Sequence, residues 1–377
     1  MQLNYGTSGF RYPVVVIHSI AFAIGQAVCL LSHQHKQPVG IMITASHNPH
    51  TDNGVKLVQH DGCMISPDDE SFMVERVLNK STISLNARKS TLIIGMDTRP
   101  SSDTIKKLII RGIQSVDTCP TIIDLSWTTT PQLHYHTFYR GSRKSEDYYE
   151  SYFNDVNQLE FPHIVVDCAN GVGTFPMRHL VESHQLQDNV ILCNTNMSNS
   201  TLLNHLCGSD FITNHLDLHH FQMDHVLHAS LDGDADRLVC YLRENERCML
   251  LDGDYLSALF AFYLHKCENV KDIRVGVIHT AYANSAFLSY IHGLGFETRC
   301  TATGVKHLHR AALDYDIGIY FESNGHGTVL FKPQISSGLK QWLNPFIGDG
   351  VADLFACLLY TSPSPRDRTR SRMPSSA

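Results

Sequence analysis

The chain has 377 residues, 43% of them hydrophobic, with 30 basic and 37 acidic side chains and a formal net charge of −7. That length exceeds one ordinary core and points to two or three domains of a soluble globular protein, while the charge balance excludes a disordered chain and offers nothing that nucleic acid would recognise. Its 11 cysteines form no C-x-x-C pair and no zinc-type pattern with histidine, so neither a disulfide framework nor a zinc site is indicated, and a reducing, cytoplasmic compartment fits.

In chain order, the first element is VVVIHSIAFAIGQAVCLL, residues 14–31, an apolar run long enough for a membrane helix or signal segment. His18, Ser19 and Gln26 interrupt it and no small-residue cleavage site follows, so it reads as a buried helix and no membrane partner is expected. Apolar runs of strand length then recur at 39–43, 91–96, 163–168, 225–231, 273–278 and 317–322. Each ends in a turn and is followed by helix-compatible sequence, the alternation of an α/β fold, in which ligands collect beyond the carboxyl ends of strands. Polar stretches at 140–158 and 266–272 divide the chain into α/β units at 1–140, 141–266 and 267–360. Residues 361–377, rich in Ser, Pro and Arg, cannot pack a core and read as a disordered or artefactual tail.

Three turns carry candidate chemistry. In ITASHNPHTDNGVKL (43–57), the hydroxyl of Ser46 stands beside His47, with Lys56 beyond an Asn-Gly turn, a grouping suited to accepting and donating a phosphoryl group; a polar capped turn is the plain alternative. In SLDGDADRLV (230–239), Asp232, Asp234 and Asp236 alternate between two apolar strands, where three carboxylates repel unless a cation neutralises them. The calcium loop that also begins D-x-D-x-D fails, since Arg237 replaces its glycine and Arg243 its closing glutamate, so Mg²⁺ is preferred over a solvated acidic hairpin. In YFESNGHGTVLF (320–331), Glu322, Asn324 and His326 alternate as a carboxylate and amide set matched to sugar hydroxyls, or mark a simple hairpin. A nucleophile, a magnesium site and a polyol loop, each at a strand end, jointly describe phosphoryl transfer on a sugar.

The ordered set resembles the α-D-phosphohexomutase superfamily and, within it, the phosphoacetylglucosamine mutases. YGTSGFR (5–11) is similar to the family's opening loop, TASHNP (44–49) to its phosphoserine loop, DGDADR (232–237) to its metal loop and ESNGHG (322–327) to its sugar loop. GMDTRPSS (95–102), TTPQLHY (129–135), LDGD (251–254), TAYANS (280–285) and TGVKHLH (303–309) extend the likeness. The resemblance implies three similar consecutive α/β domains with mixed sheets flanked by helices. It implies a phosphoserine at Ser46 that joins Asp232, Asp234 and Asp236 around Mg²⁺. Arg11, His47, Lys56 and Arg237 would line the reacting phosphate; Gly304 and Lys306 would sit on a mobile loop facing the sugar that Glu322, Asn324 and His326 contact. The reaction implied is interconversion of N-acetylglucosamine 6-phosphate and 1-phosphate through N-acetylglucosamine 1,6-bisphosphate, feeding UDP-N-acetylglucosamine synthesis, with a small sugar phosphate as partner.

Asn324 stands where glucose- and mannose-type members usually carry Ser, and Ser323 is a mild departure. The larger departure is at the end, where the family's fourth, phosphate-gripping domain with its R-x-S-G-T loop is not found after Asp349, so slow turnover is expected. A glucose or mannose phosphate mutase, a truncated product that only binds sugar phosphates, and an interaction protein using the basic tail are the rival readings.

Overall fold

The structure is a computed structural model that describes residues 3–7, 9–79, 89–142, 148–150, 162–215, 226–244, 247–268 and 270–361. From residue 362 the expected tail, and most of the polar stretch at 140–158, lie outside the described residues.

The apolar run at 14–31 opens helix α1 (Val14–His35). It is long and apolar enough to cross a membrane, yet 56% of its apolar window is buried inside the protein, against helix α3 (Ser102–Val116). Two glycines permit that close packing: a Cβ on Gly25 would lie 2.1 Å from the Ile109 carbonyl oxygen, and one on Gly112 would lie 2.1 Å from that of Phe22. Helix α2 (Pro67–Asn79) covers α1 on another side.

These helices flank a five-stranded mixed sheet in the order β1-β3-β2-β4-β5, formed by Phe10–Pro13, Asp52–Val58, Val39–Ile43, Thr91–Met96 and Thr121–Trp127 respectively. Strands β2, β4 and β5 are parallel, while β3 runs antiparallel between β1 and β2. The second sheet has the order β10-β9-β8-β6-β7, from Arg247–Leu251, Leu238–Glu244, Leu227–Leu231, Ile164–Asp167 and Val190–Cys193. The third, β12-β11-β13-β14, comprises Glu297–Thr301, Val275–Thr280, Ile317–Phe321 and Gly327–Phe331.

The second and third sheets share one plan: a central strand, two parallel neighbours, and an antiparallel strand hairpinned onto the last of them. In the first sheet the same hairpin joins β2 to β3. The three loops singled out in the sequence are these hairpin connections, β2–β3, β8–β9 and β13–β14, so one geometric position recurs in each sheet. Strands β2, β8 and β13 are buried along almost their whole length, which explains why β2 and β13 read as runs without polar alternation.

Two helices pack away from their sequence neighbours. Helix α7 (Gly253–Cys267), grouped by position with the second unit, lies on β13 of the third sheet. Asp252 caps it by accepting from the Asp254 and Tyr255 amides, and a Cβ on Gly253 would lie 1.9 Å from the Glu322 carbonyl oxygen. Helix α10 (Gly350–Thr361), grouped with the third unit, returns to β8 and β9 of the second sheet. Long-range burial decides both placements. The apolar faces of these helices find partners on whichever sheet the chain can reach.

Candidate active site

Ser46 follows β2 in a left-handed backbone conformation (φ 50°) and is 1% exposed. A non-glycine residue holds that conformation only where its surroundings over-determine it, and here the restraints are explicit. The Ser46 amide donates to Thr44 Oγ1 (2.9 Å), and its carbonyl accepts from Arg99 Nη2 (3.0 Å) and Asn204 Nδ2 (2.7 Å). The same two donors reach the Asn48 carbonyl at 2.6 and 3.1 Å. Arg99 is pinned against the buried Asp97, which also accepts from Thr44 Oγ1 (2.6 Å).

The Ser46 hydroxyl points at the acidic loop, donating to Asp234 Oδ2 (3.3 Å), and accepts from Arg11 Nη2 (3.4 Å). Sheet pairing brings the cations in: Arg11 on β1 lies opposite Gly54 of β3, two residues before Lys56. Lys56 Nζ contacts Asp234 Oδ2 at 2.7 Å and Asp236 Oδ2 at 2.6 Å, both carboxylates being buried. Burial opposes the Lys56 charge, but Asp234 and Asp236 outweigh it and hold its pKa above the ordinary value. Arg237 behaves alike: burial opposes its charge, and Asp232, Asp236 and Asp210 raise its pKa. Arg11 is shifted down, first by burial and then by the neighbouring Arg237.

Asp232, Asp234 and Asp236 are fully buried, and one oxygen from each lies within 4.8 Å of the others. Asp232 Oδ2, Asp234 Oδ1 and Asp236 Oδ1 accept no hydrogen bond. A buried carboxylate oxygen without a donor is costly, and three clustered carboxylates that each keep one fit a hard cation such as Mg²⁺. Burial, then repulsion from Asp236 and Asp234, drives the Asp232 carboxyl well above its ordinary range. Burial works the same way on Asp236, but His326, Lys56 and Arg237 overcome it and hold that carboxyl below the ordinary range. Helix α4 (Thr130–Phe138) aims its N-terminus at the loop, with Thr130 donating from its amide to the Asp234 carbonyl (3.1 Å) and from Oγ1 to Oδ2 (2.5 Å).

Two imidazoles border the cluster. His47 is depressed to about 2, by burial and then by Arg237 and Arg11, and its Nδ1 has no hydrogen-bond partner. His326 is depressed to about 4, chiefly by burial; its Nδ1 lies 3.5 Å from Asp236 Oδ1 and its Nε2 is unpartnered. Both are therefore neutral near pH 7, and His326 is the more basic of the two.

The third sheet's loop joins the second through its backbone. Leu238 N donates to the Gly325 carbonyl (3.1 Å), and Gly325 adopts φ 80° with no room for a Cβ, which would lie 1.8 Å from the Leu238 carbonyl oxygen. Glu322 Oε1 accepts from the Gly304 amide (2.9 Å), and burial raises its pKa. Asn324 Oδ1 accepts from the His326 amide (3.1 Å), shaping the turn. Lys306, expected on the loop facing a sugar, lines the same cleft as Lys56, Asp236 and His326 and bonds to Glu70 Oε2 (2.8 Å) and the Gly6 carbonyl (3.1 Å) of the first unit. Thus Arg11, Ser46, Lys56, the three aspartates, Arg237 and His326 converge at one place, with Glu322, Asn324, Gly304 and Lys306 on the rim formed by the third unit.

Sequence reasoning assigned no role to Thr44, Asp97, Arg99 and Thr130, although they lie in segments quoted for the family likeness, and missed Asn204. Asp97 and Arg99 follow β4, so the strand-end rule that found Ser46 would have found them too; Asn204 has no local signal.

The family model described as "Phosphoacetylglucosamine mutase AMG1, domain III" matches residues 252–348. That described as "Phosphoglucomutase/phosphomannomutase, alpha/beta/alpha domain I" matches 12–84 and 73–145. Phosphoacetylglucosamine mutase 1 of Schizosaccharomyces pombe is 34% identical over 95% of this chain and 80% of its own length. The chain belongs to the phosphoacetylglucosamine mutase family. The Homo sapiens member is also 34% identical, over 90% of this chain and 68% of its own length. The backbone superposes with a TM-score of 0.87 on a solved N-acetylglucosamine-phosphate mutase of the α-D-phosphohexomutase superfamily in its product complex, at 34% identity over 97% of this chain and 80% of that one. An Aspergillus fumigatus N-acetylphosphoglucosamine mutase solved with GlcNAc-6P and magnesium matches with a TM-score of 0.84 at 29% identity, covering 98% and 80%. The α/β class, the mixed sheets and the family expected from the sequence are therefore those of the protein.

Proposed function

We propose that this chain interconverts N-acetylglucosamine 6-phosphate and N-acetylglucosamine 1-phosphate, with a phosphoryl group carried by Ser46 and N-acetylglucosamine 1,6-bisphosphate as the intermediate. It would act in the cytoplasm to supply UDP-N-acetylglucosamine synthesis. One observation carries the reading: Ser46 Oγ is clamped 3.3 Å from Asp234, beside three buried carboxylate oxygens that accept no hydrogen bond. Family membership supports the activity, and cysteines that form no disulfide among the described residues support the reducing compartment.

Asp232, Asp234 and Asp236 would hold Mg²⁺, which offsets the charge of the phosphorylated serine and of the oxygens in transfer. A hydroxyl of the sugar phosphate attacks the phosphorus, the Ser46 Oγ–P bond breaks, and the hydroxyl proton passes to a neutral imidazole, His326 or His47. Arg11, Lys56 and Arg237 stabilise the charge spread over the equatorial oxygens. The bisphosphate then turns over, Ser46 Oγ takes back the other phosphoryl group, and the proton returns to the released hydroxyl. Glu322 and Asn324 would hold sugar hydroxyls, and Gly304 and Lys306 would lie on the loop facing the sugar.

Phosphorus NMR tests this directly. The purified chain, Mg²⁺, N-acetylglucosamine 6-phosphate and a trace of the 1,6-bisphosphate should produce the 1-phosphate signal, and Ser46→Ala should abolish it. No signal, under conditions where the fission yeast enzyme turns over, would overturn the proposal for this chain; faster turnover of glucose 6-phosphate would overturn the sugar assignment.

A further inference from the structure

Between α1 and the end of α3, well away from the acidic loop, three side chains of metal-binding type meet. Cys29 and His33 lie one turn apart on one face of α1, and Asp117 caps the C-terminus of α3. One donor atom from each lies within 4.8 Å of the other two. His33 Nε2 is 3.5 Å from Asp117 Oδ2, the His33 side chain is only 10% exposed, and this nitrogen is buried without a hydrogen-bond partner. Ligands of one tetrahedral zinc ion, bound at about 2.0–2.3 Å, stand roughly 3.3–3.8 Å apart, so the His33 to Asp117 spacing already matches a shared ion.

We propose that Cys29, His33 and Asp117 form a zinc-binding site. The donor set, thiolate, imidazole and carboxylate, is the one zinc takes, and two negative ligands balance the divalent charge. The outer partners are in place: Asp117 Oδ2 accepts from the Ser90 amide and hydroxyl, both at 2.7 Å, and Oδ1 accepts from the Cys119 amide at 2.9 Å, which fixes the carboxylate plane. Cys29 Sγ lies 3.6 Å from the same Ser90 hydroxyl. His33 also borders a cavity of about 450 Å³ shared with Lys36, Lys89 and Arg140. The cysteine spacing in the sequence shows no zinc pattern because the proposed third ligand comes from a helix 84 residues further on.

The experiment titrates the purified chain with Co²⁺ in excess Mg²⁺, added to compete for the acidic loop, and follows the thiolate-to-cobalt charge-transfer absorption. One equivalent should bind with that band, displaceable by Zn²⁺ and accompanied by proton release from the thiol. Cys29→Ser and His33→Gln should each weaken Co²⁺ binding at least about 100-fold, the upper end of what losing an outer-shell partner costs. Asp232→Asn should leave the band unchanged. Circular dichroism confirms that each variant is folded. Absence of the band in the folded wild-type chain, or its survival in Cys29→Ser, would overturn the proposal.

Discussion

Replacing Arg99 tests how Ser46 is held. Arg99→Met keeps much of the side-chain volume but removes a guanidinium that is fully buried, paired with Asp97 and bonded to the Ser46 and Asn48 carbonyls. Breaking a buried ion pair by removing one partner costs about 3–5 kcal/mol, because the remaining charge is stranded. Asp97 keeps Thr44, Ser102 and the residue 99 amide as donors, which favours the lower end. The first domain should then melt roughly 10 °C lower. Asn204 still reaches both carbonyls, so the loop should survive below that temperature but lose its fixed aim. Misplacement of a reacting group by about an ångström costs on the order of 100-fold in rate. The assay is differential scanning calorimetry together with single-turnover phosphoryl transfer from the phosphorylated enzyme. Arg99→Lys should recover much of the stability, since Asp97 regains a cation, and little of the rate, since one ammonium cannot serve both carbonyls. Wild-type melting and wild-type transfer in Arg99→Met would refute the reasoning.

Mg²⁺ should raise the melting temperature by satisfying the donor-less oxygens of the aspartate loop, about 2.7 kcal/mol at one hundred times its dissociation constant, and calorimetry of Asp232→Asn should show that gain largely gone. Acid should destabilise the fold through His326. Its folded pKa of about 4 lies below the unfolded value near 6.5, so its contribution is complete above pH 6.5 and is lost as pH falls towards 4. At about 1.4 kcal/mol per unit, His326→Gln should remove some 2–3 kcal/mol of that acid sensitivity, read from denaturant midpoints between pH 7 and 4; an unchanged pH slope would count against neutral His326. Gly325→Ala should strain both a positive φ and the contact with the Leu238 carbonyl, raising KM for the sugar phosphate more than it lowers kcat, as initial rates will report.

Much of the local framework was legible in the residues. The runs VGIMI and TLIIGM are strands β2 and β4 residue for residue, because a strand buried on both faces needs an unbroken apolar sequence. The apolar stretch at 14–31 could be read as a core helix because its polar interruptions suit packing against neighbouring helices better than lipid. The Asp-Gly-Asp-Ala-Asp loop announced a cation through its own repulsion, a property of five consecutive residues. The tertiary structure alone decided which distant groups meet. Lys56 lies 178 residues from Asp234, Asn204 158 residues from Ser46, and Lys306 236 residues from Glu70, and no periodicity reports such distances. It also sent helix α7 to the third sheet and α10 back to the second. Local sequence governs backbone conformation and which face is apolar; which buried donor finds which buried acceptor depends on how the sheets stack, and that is determined by the whole chain at once.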